Sequence, residues 1–179
     1  MHVLAANLRR SILLAAVFFA LLGLVYPLAE YGIGQAAFSR QVDGSLSTNG
    51  SSLVGQRWDG PKWFQGRPDG DDPMATGGSN LGPRSKVLVQ VTKNQIEHLR
   101  KEGIVPTPDL VTTSGSGVDP DISPAAAYAQ VGAVAGARGV PVGEIRRLVA
   151  KSVTGAEFGF LGASYVNVLQ LNESVAELR

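Results

Sequence analysis

The run ILLAAVFFALLGLVYPLA, residues 12–29, carries no charged side chain. As a helix it spans roughly 27 Å at about 1.5 Å per residue, close to the apolar thickness of a bilayer. A helix covering a globular core shows a polar stripe on one face, and none is visible here. The reading is a membrane anchor over residues 12–32, with Ile12, Phe18, Leu22, Tyr26 and Leu28 among its positions. Tyr26 and Pro27 fall near the end of the run, where an interfacial aromatic and a helix break are tolerated. A cleavable signal peptide is the competing reading. Its apolar core would be unusually long, and the best cleavage candidate, Gly34-Gln35-Ala36, is a poor one, so a retained anchor is favoured.

Arg9 and Arg10 precede the run, whereas Arg40 is the one basic residue close behind it. The excess of basic residues before the span predicts a cytoplasmic segment 1–11 and an extracytoplasmic domain 33–179, in a bacterial plasma (inner) membrane.

Beyond the anchor some 145 residues remain, enough for one domain with a core. Their charges balance, within a whole-chain net of +1. Such a domain offers no electrostatic footprint for nucleic acid. The chain has no cysteine, which excludes disulfides, thiol nucleophiles and thiolate metal sites. With 22 Gly and 10 Pro, it reads as loop-rich.

Local signals give an α/β (α+β) domain. Asn49-Gly50 marks a turn or short hairpin. Trp58, Trp63 and Phe64 read as aromatic packing beneath a folded-back loop rather than as a ligand platform. Asp69, Asp71 and Asp72 lack calcium-loop spacing and read as a solvated acidic loop. Residues 83–102 have helical periodicity through Leu88, Val91, Gln95, Ile96 and Leu99, with Pro83 in the first turn and Gly103 at the end. His98 lies among charged residues and reads as exposed. Residues 110–113 and 165–171 are expected as strands. Between them, Ser123 caps a helix that starts at Pro124 and stops at Gly139, and a second helix runs from Pro141 to about Ser152, with Ile145, Leu148 and Val149 inward.

Catalytic signatures are missing. The chain has no phosphate-binding Gly-x-x-x-x-Gly-Lys-Ser/Thr loop and no Gly-x-Ser-x-Gly elbow. Its two histidines are His2 and His98, so a serine triad would rest on His98 alone. Asp119 and Asp121 could form a carboxylate pair, although Pro120 argues for a turn between them.

The stretch Val111-Thr112-Thr113-Ser114-Gly115-Ser116-Gly117-Val118-Asp119, followed by Ile122-Ser123-Pro124-Ala125-Ala126-Ala127, resembles the central signature of the C subunit of the Kdp-type potassium-transporting ATPase. Further blocks resemble that family in the same order: Gly55-Gln56, Phe64 with Gly66-Arg67-Pro68, Gly77-Gly78-Ser79-Asn80-Leu81, Gln130-Val131, and Val166-Asn167-Val168-Leu169 with Leu171-Asn172. Asp69, where the family usually has Ser, and Gln170, where it has Glu, depart from the pattern, and residues 83–103 match weakly.

This resemblance implies an accessory, non-catalytic subunit of a high-affinity, ATP-driven potassium importer. Its partners would be an ATP-hydrolysing subunit, a potassium-channel-like subunit and a small single-helix subunit. It also implies a catalytic-chaperone role, with ATP as a possible ligand contacting Gln130 and the loop holding Ser114, Ser116 and Asp119. The charge rule, by contrast, places the domain where ATP is scarce. A cap or clamp on the channel-like subunit is therefore the alternative, and the 114–119 loop and Gln130 could equally be structural. A self-sufficient anchored hydrolase or ligand-binding domain is the rival of another class.

Overall fold

A computed structural model describes residues 2–69, 72, 74 and 76–178. The chain divides into two units, one up to Ser45 and one from Leu46 onward.

The first unit is an apolar helix interrupted by a kink near its C-terminal end. Helix α1 (His2–Ala20) passes through a π-helical turn (Leu21–Val25) into α2 (Tyr26–Val42). The π-turn has a local cause. A proline ring clashes with the carbonyl four residues earlier, here that of Gly23 beneath Pro27. The widened turn, in which the Tyr26 N–H donates to the Leu21 carbonyl, relieves that clash. The backbone departs from helical geometry at Phe38 (φ −142°, ψ 42°). Residues 3–42 are long and apolar enough to cross a membrane, with mean hydropathy 2.5 in the most apolar window and no part of that window buried. The break at Phe38 turns the chain back on itself, so that the Gln35 amide donates to Asp43 (2.9 Å). Up to Ala37 the helix from His2 measures roughly 54 Å at about 1.5 Å per residue.

The second unit is α+β, as the sequence indicated. A two-stranded hairpin, β1 (Leu46–Ser47) and β2 (Gly50–Ser51), turns at Asn49-Gly50. Helix α3 (Lys86–Lys101) starts at its N-cap Ser85, whose hydroxyl accepts from the Leu88 N–H, three residues later than Pro83 predicted. Leu99 is its buried residue, while Val91, expected inward, is half exposed.

Residues 110–113 are not a strand. Thr107 and Pro108 start a one-turn helix, α4 (Pro108–Val111), which buries Leu110. Strand β3 (Asp121–Ile122) leads to α5 (Pro124–Arg138), whose cap is Ser123 and which ends at left-handed Gly139. Helix α6 (Val142–Ser152) buries Ile145 and Val149. Strands β4 (Val153–Thr154) and β5 (Tyr165–Asn167) complete an antiparallel sheet of order β3-β5-β4.

The strand expected over 165–171 ends early. Asn167 accepts from the Gln170 N–H and caps α7 (Val168–Ala176). That helix buries Val168, Leu169, Leu171, Asn172 and Val175; the inward row Val168, Leu171, Asn172 and Val175 has the three- and four-residue spacing that suits a helix better than alternation does. Phe64, Leu99, Leu110, Ile145, Val149, Val166 and Leu171 are core residues at 0–1% exposure. Burying a side chain of this size stabilises the fold by about 1.5–3 kcal/mol.

Candidate functional site

Blocks of sequence far apart in the chain converge on one face of the second unit. The loop from Trp58 to Pro68 lies against α5 and α7, and two side-chain amides hold it there. Gln130, on α5, accepts at Oε1 from the Gln65 N–H (2.7 Å) and donates from Nε2 to the Gln65 carbonyl (3.0 Å). The same Nε2 also reaches the Ala126 carbonyl (3.3 Å). Asn172, on α7, repeats the pattern one residue earlier, accepting from the Phe64 N–H (2.8 Å) and donating to the Phe64 carbonyl (2.9 Å). Both side chains are 0% exposed. They stand in for a neighbouring strand and satisfy backbone groups that would otherwise be buried unpaired. They also seat Phe64 in the core.

The 114–119 loop is held by Asp69. The Asp69 carboxylate accepts from the Ser114 N–H (2.7 Å), the Ser114 hydroxyl (2.7 Å) and the Asp119 N–H (3.1 Å). The acidic-loop reading is therefore corrected at Asp69, which is built into the fold; Asp71 lies outside the described residues. Within the loop, Ser114 Oγ accepts from the Gly117 N–H (2.8 Å), and Ser116 Oγ accepts from the Val118 N–H (3.2 Å). Gly117 (φ 72°) is required twice over, because a Cβ there would sit 2.5 Å from the Gly77 carbonyl oxygen. Neighbouring strands of loop join on: the Gly77 N–H donates to the Ser116 carbonyl and the Gly55 N–H to the Val118 carbonyl. Ser114 is buried and Ser116 exposed.

Arg67 lies between three partners: Asp109 (3.3 Å), the Thr112 hydroxyl (3.4 Å) and, at 3.9 Å, Asp119. Partial burial of the Asp109 carboxyl raises its pKa. Hydrogen bonds from Ser123, together with Arg67, outweigh this, and the pKa falls below the ordinary value. Asp121 goes the other way. Burial raises its pKa, the Asn167 amide offsets part of that rise, and the Asp119 charge adds to it. Asp119 and Asp121 thus sit in different environments on either side of Pro120. Asp121 is tied to Asn167 (2.9 Å), and the Asp119 carboxylate accepts from the Asp121 N–H (3.1 Å).

The aromatics pack on one another as expected, with the Trp58 and Trp63 rings 5.0 Å apart and the Arg138 guanidinium 4.5 Å above Trp63. His98 is exposed and pairs with Glu102 (3.6 Å). A cleft of about 260 Å³ opens beside this assembly, lined among others by Gln56, Trp58, Arg67, Asp69, His98 and Asp119. It falls below the roughly 300–1,000 Å³ of sites that enclose drug- or cofactor-sized ligands. Among the described residues no group of three or more His, Asp or Glu is placed to hold a metal ion.

Of the residues the sequence singled out, Ser114, Ser116 and Asp119 come together in one hydrogen-bonded loop. Gln130 is applied instead to the Trp58–Pro68 segment. Sequence reasoning missed Asn172 and Asp109, and it misplaced Asp69. Asn172 did carry a signal, being a polar residue at a core position of α7.

A family model described as KdpC, the c chain of a K+-transporting ATPase, matches residues 8–177. A protein from Sorangium cellulosum named potassium-transporting ATPase KdpC subunit is 46% identical to this chain over 181 residues, covering 93% of this chain and 95% of that protein. Proteins of the same name from Paraburkholderia phytofirmans and Caulobacter vibrioides are 43% and 44% identical, covering 96% and 95% of this chain and 96% and 92% of their own lengths.

Proposed function

Because the chain belongs to the KdpC family of potassium-transporting ATPase subunits, we propose that it is an accessory subunit that works from outside the membrane by protein contact. Its single helix anchors it in the bacterial inner membrane with residues 1–11 in the cytoplasm. Its domain clamps or caps the potassium-channel-like subunit and stabilises the assembly with the ATP-hydrolysing subunit and a small single-helix subunit. ATP hydrolysis then belongs to a partner.

One observation carries this reading over the nucleotide-chaperone alternative. Gln130, the residue that resemblance assigns to ATP, is fully buried, with its amide committed to Gln65 and Ala126. A nucleotide would have to break those bonds and open the core to reach it. The cost, of the order of 1–3 kcal/mol for each polar group stranded, argues for a structural task.

Deletion of the gene tests the reading. Cells should lose growth at micromolar potassium and fail to yield the intact complex. Restoring the full chain should recover both, whereas a fragment of residues 1–40 should not. Normal uptake in the deletion strain, or full rescue by the fragment, would overturn the role given to the domain.

A further inference from the structure

Strands β4 and β5 form a hairpin whose register pairs Thr154 with Tyr165, leaving residues 155–164 as its loop. Within that loop the chain folds back a second time. Glu157 and Leu161 form a bridge closed by two backbone bonds of 2.9 Å each, and the Gly159 and Phe160 N–H groups donate to Ala156 and Glu157 carbonyls. The tip is thus a built structure.

At its end stand Phe158 (86% exposed), Phe160 (81%) and Leu161 (56%). Large apolar groups clustered this way on a soluble surface mark an interaction site. Phe158 also has φ 51°, in the left-handed region that side chains of its size rarely adopt. None of this serves the domain's own core.

We infer that this aromatic tip is a docking element that inserts into an apolar recess on a neighbouring membrane subunit of the same pump; the inference rests on the contact role proposed above. Three arguments select that occupant. A second copy of this chain would gain too little. Two Phe and one Leu bury at most roughly 500 Å² on one side, against about 800 Å² per partner in a stable interface. A subunit of the same assembly is different, because the other contacts of the complex already hold it beside this chain at a high effective concentration and a small contact suffices. A lipid surface is disfavoured by charge and by shape. The loop 155–164 has Glu157 as its one charged residue, with no Lys or Arg for anionic headgroups. A fixed, strained backbone gains nothing against a fluid surface, but it preorganises the aromatics for a shaped recess.

The test places a photoreactive phenylalanine at position 158, and separately at 160, in the full-length chain co-expressed with the other subunits. Irradiation of membranes should give a crosslink to one and the same partner subunit from both positions. Adducts with lipid alone, with a second copy of this chain, or with nothing would overturn the inference. In parallel, Phe158→Ser with Phe160→Ser should lower the yield of detergent-stable complex at least about tenfold while leaving the melting temperature of the chain unchanged. An undiminished complex would overturn it as well. The side of the membrane is read independently from a cysteine placed at Ser116. Labelling from outside together with an uncrosslinked tip sinks this inference alone, whereas a cytoplasmic cysteine sinks the proposed function with it.

Discussion

The side-chain amide of Gln130 and the backbone of Gln65 close a ring of two hydrogen bonds, 2.7 and 3.0 Å long, across 65 positions of sequence. Asn172 and Phe64 form the same ring one residue away, at 2.8 and 2.9 Å. Together they turn an irregular segment into part of the core, and they set what substitutions at these positions do.

Gln130→Leu keeps the approximate volume but leaves the Gln65 N–H and carbonyl without partners. We expect a loss of about 2–4 kcal/mol in domain stability, measured by urea unfolding with no nucleotide present. Unchanged stability would remove the structural role.

The two rings hold adjacent residues of one segment, so their effects should not add. Once either ring is broken the segment can lift away and the second ring has less to hold. The double variant Gln130→Leu, Asn172→Leu is expected to fall short of the sum of the single losses by about 0.5–3 kcal/mol. Simple additivity in a double-mutant cycle would show that the rings act separately.

Asp69→Ala removes the acceptor for three donors of the 114–119 loop. Stability should drop by about 2–3 kcal/mol. Asp69→Ser should recover part of the loss, because a hydroxyl can accept from one of the three donors. Chemical denaturation of the three proteins checks the order: wild type, then Ser, then Ala.

Asp109 ties stability to pH. Its folded-state pKa lies below the ordinary carboxylate value of about 3.9. Its ionised form therefore favours folding above that value, and the contribution fades as pH falls through the folded-state pKa. Asp109→Asn should melt at a lower temperature than wild type at pH 7, and the gap should close below about pH 4. A gap that does not narrow as pH falls below about 4 would exclude the ionised Asp109 carboxylate, held by Ser123 and Arg67, as its source.

The sequence revealed the elements with local causes. Ser123, Pro124 and Gly139 start and stop α5 by capping alone, and Asn49-Gly50 turns the first hairpin. Where the reading failed, two local patterns competed. The run from Tyr165 alternates like a strand for three residues, but Asn167 then caps a helix whose buried positions lie three and four apart. Leu110 to Thr113 has strand-like composition, yet Thr107 and Pro108 upstream start a helical turn. The site was less legible still. Ser114, Ser116 and Asp119 share one loop and could be grouped from the sequence. The partners of Gln130, Asn172 and Asp69, however, lie 45 to 108 residues away in the chain. No spacing rule reaches that far.

The central claim, that the domain works outside the membrane by protein contact, is tested most directly by its location. The chain has no cysteine, so Ser116→Cys introduces a single thiol at an exposed position of the 114–119 loop. In intact spheroplasts carrying the assembled pump, the account predicts that a membrane-impermeant thiol reagent labels this cysteine before lysis. Protection in intact spheroplasts with full labelling after lysis would contradict it, and would return the domain to the compartment where ATP is found.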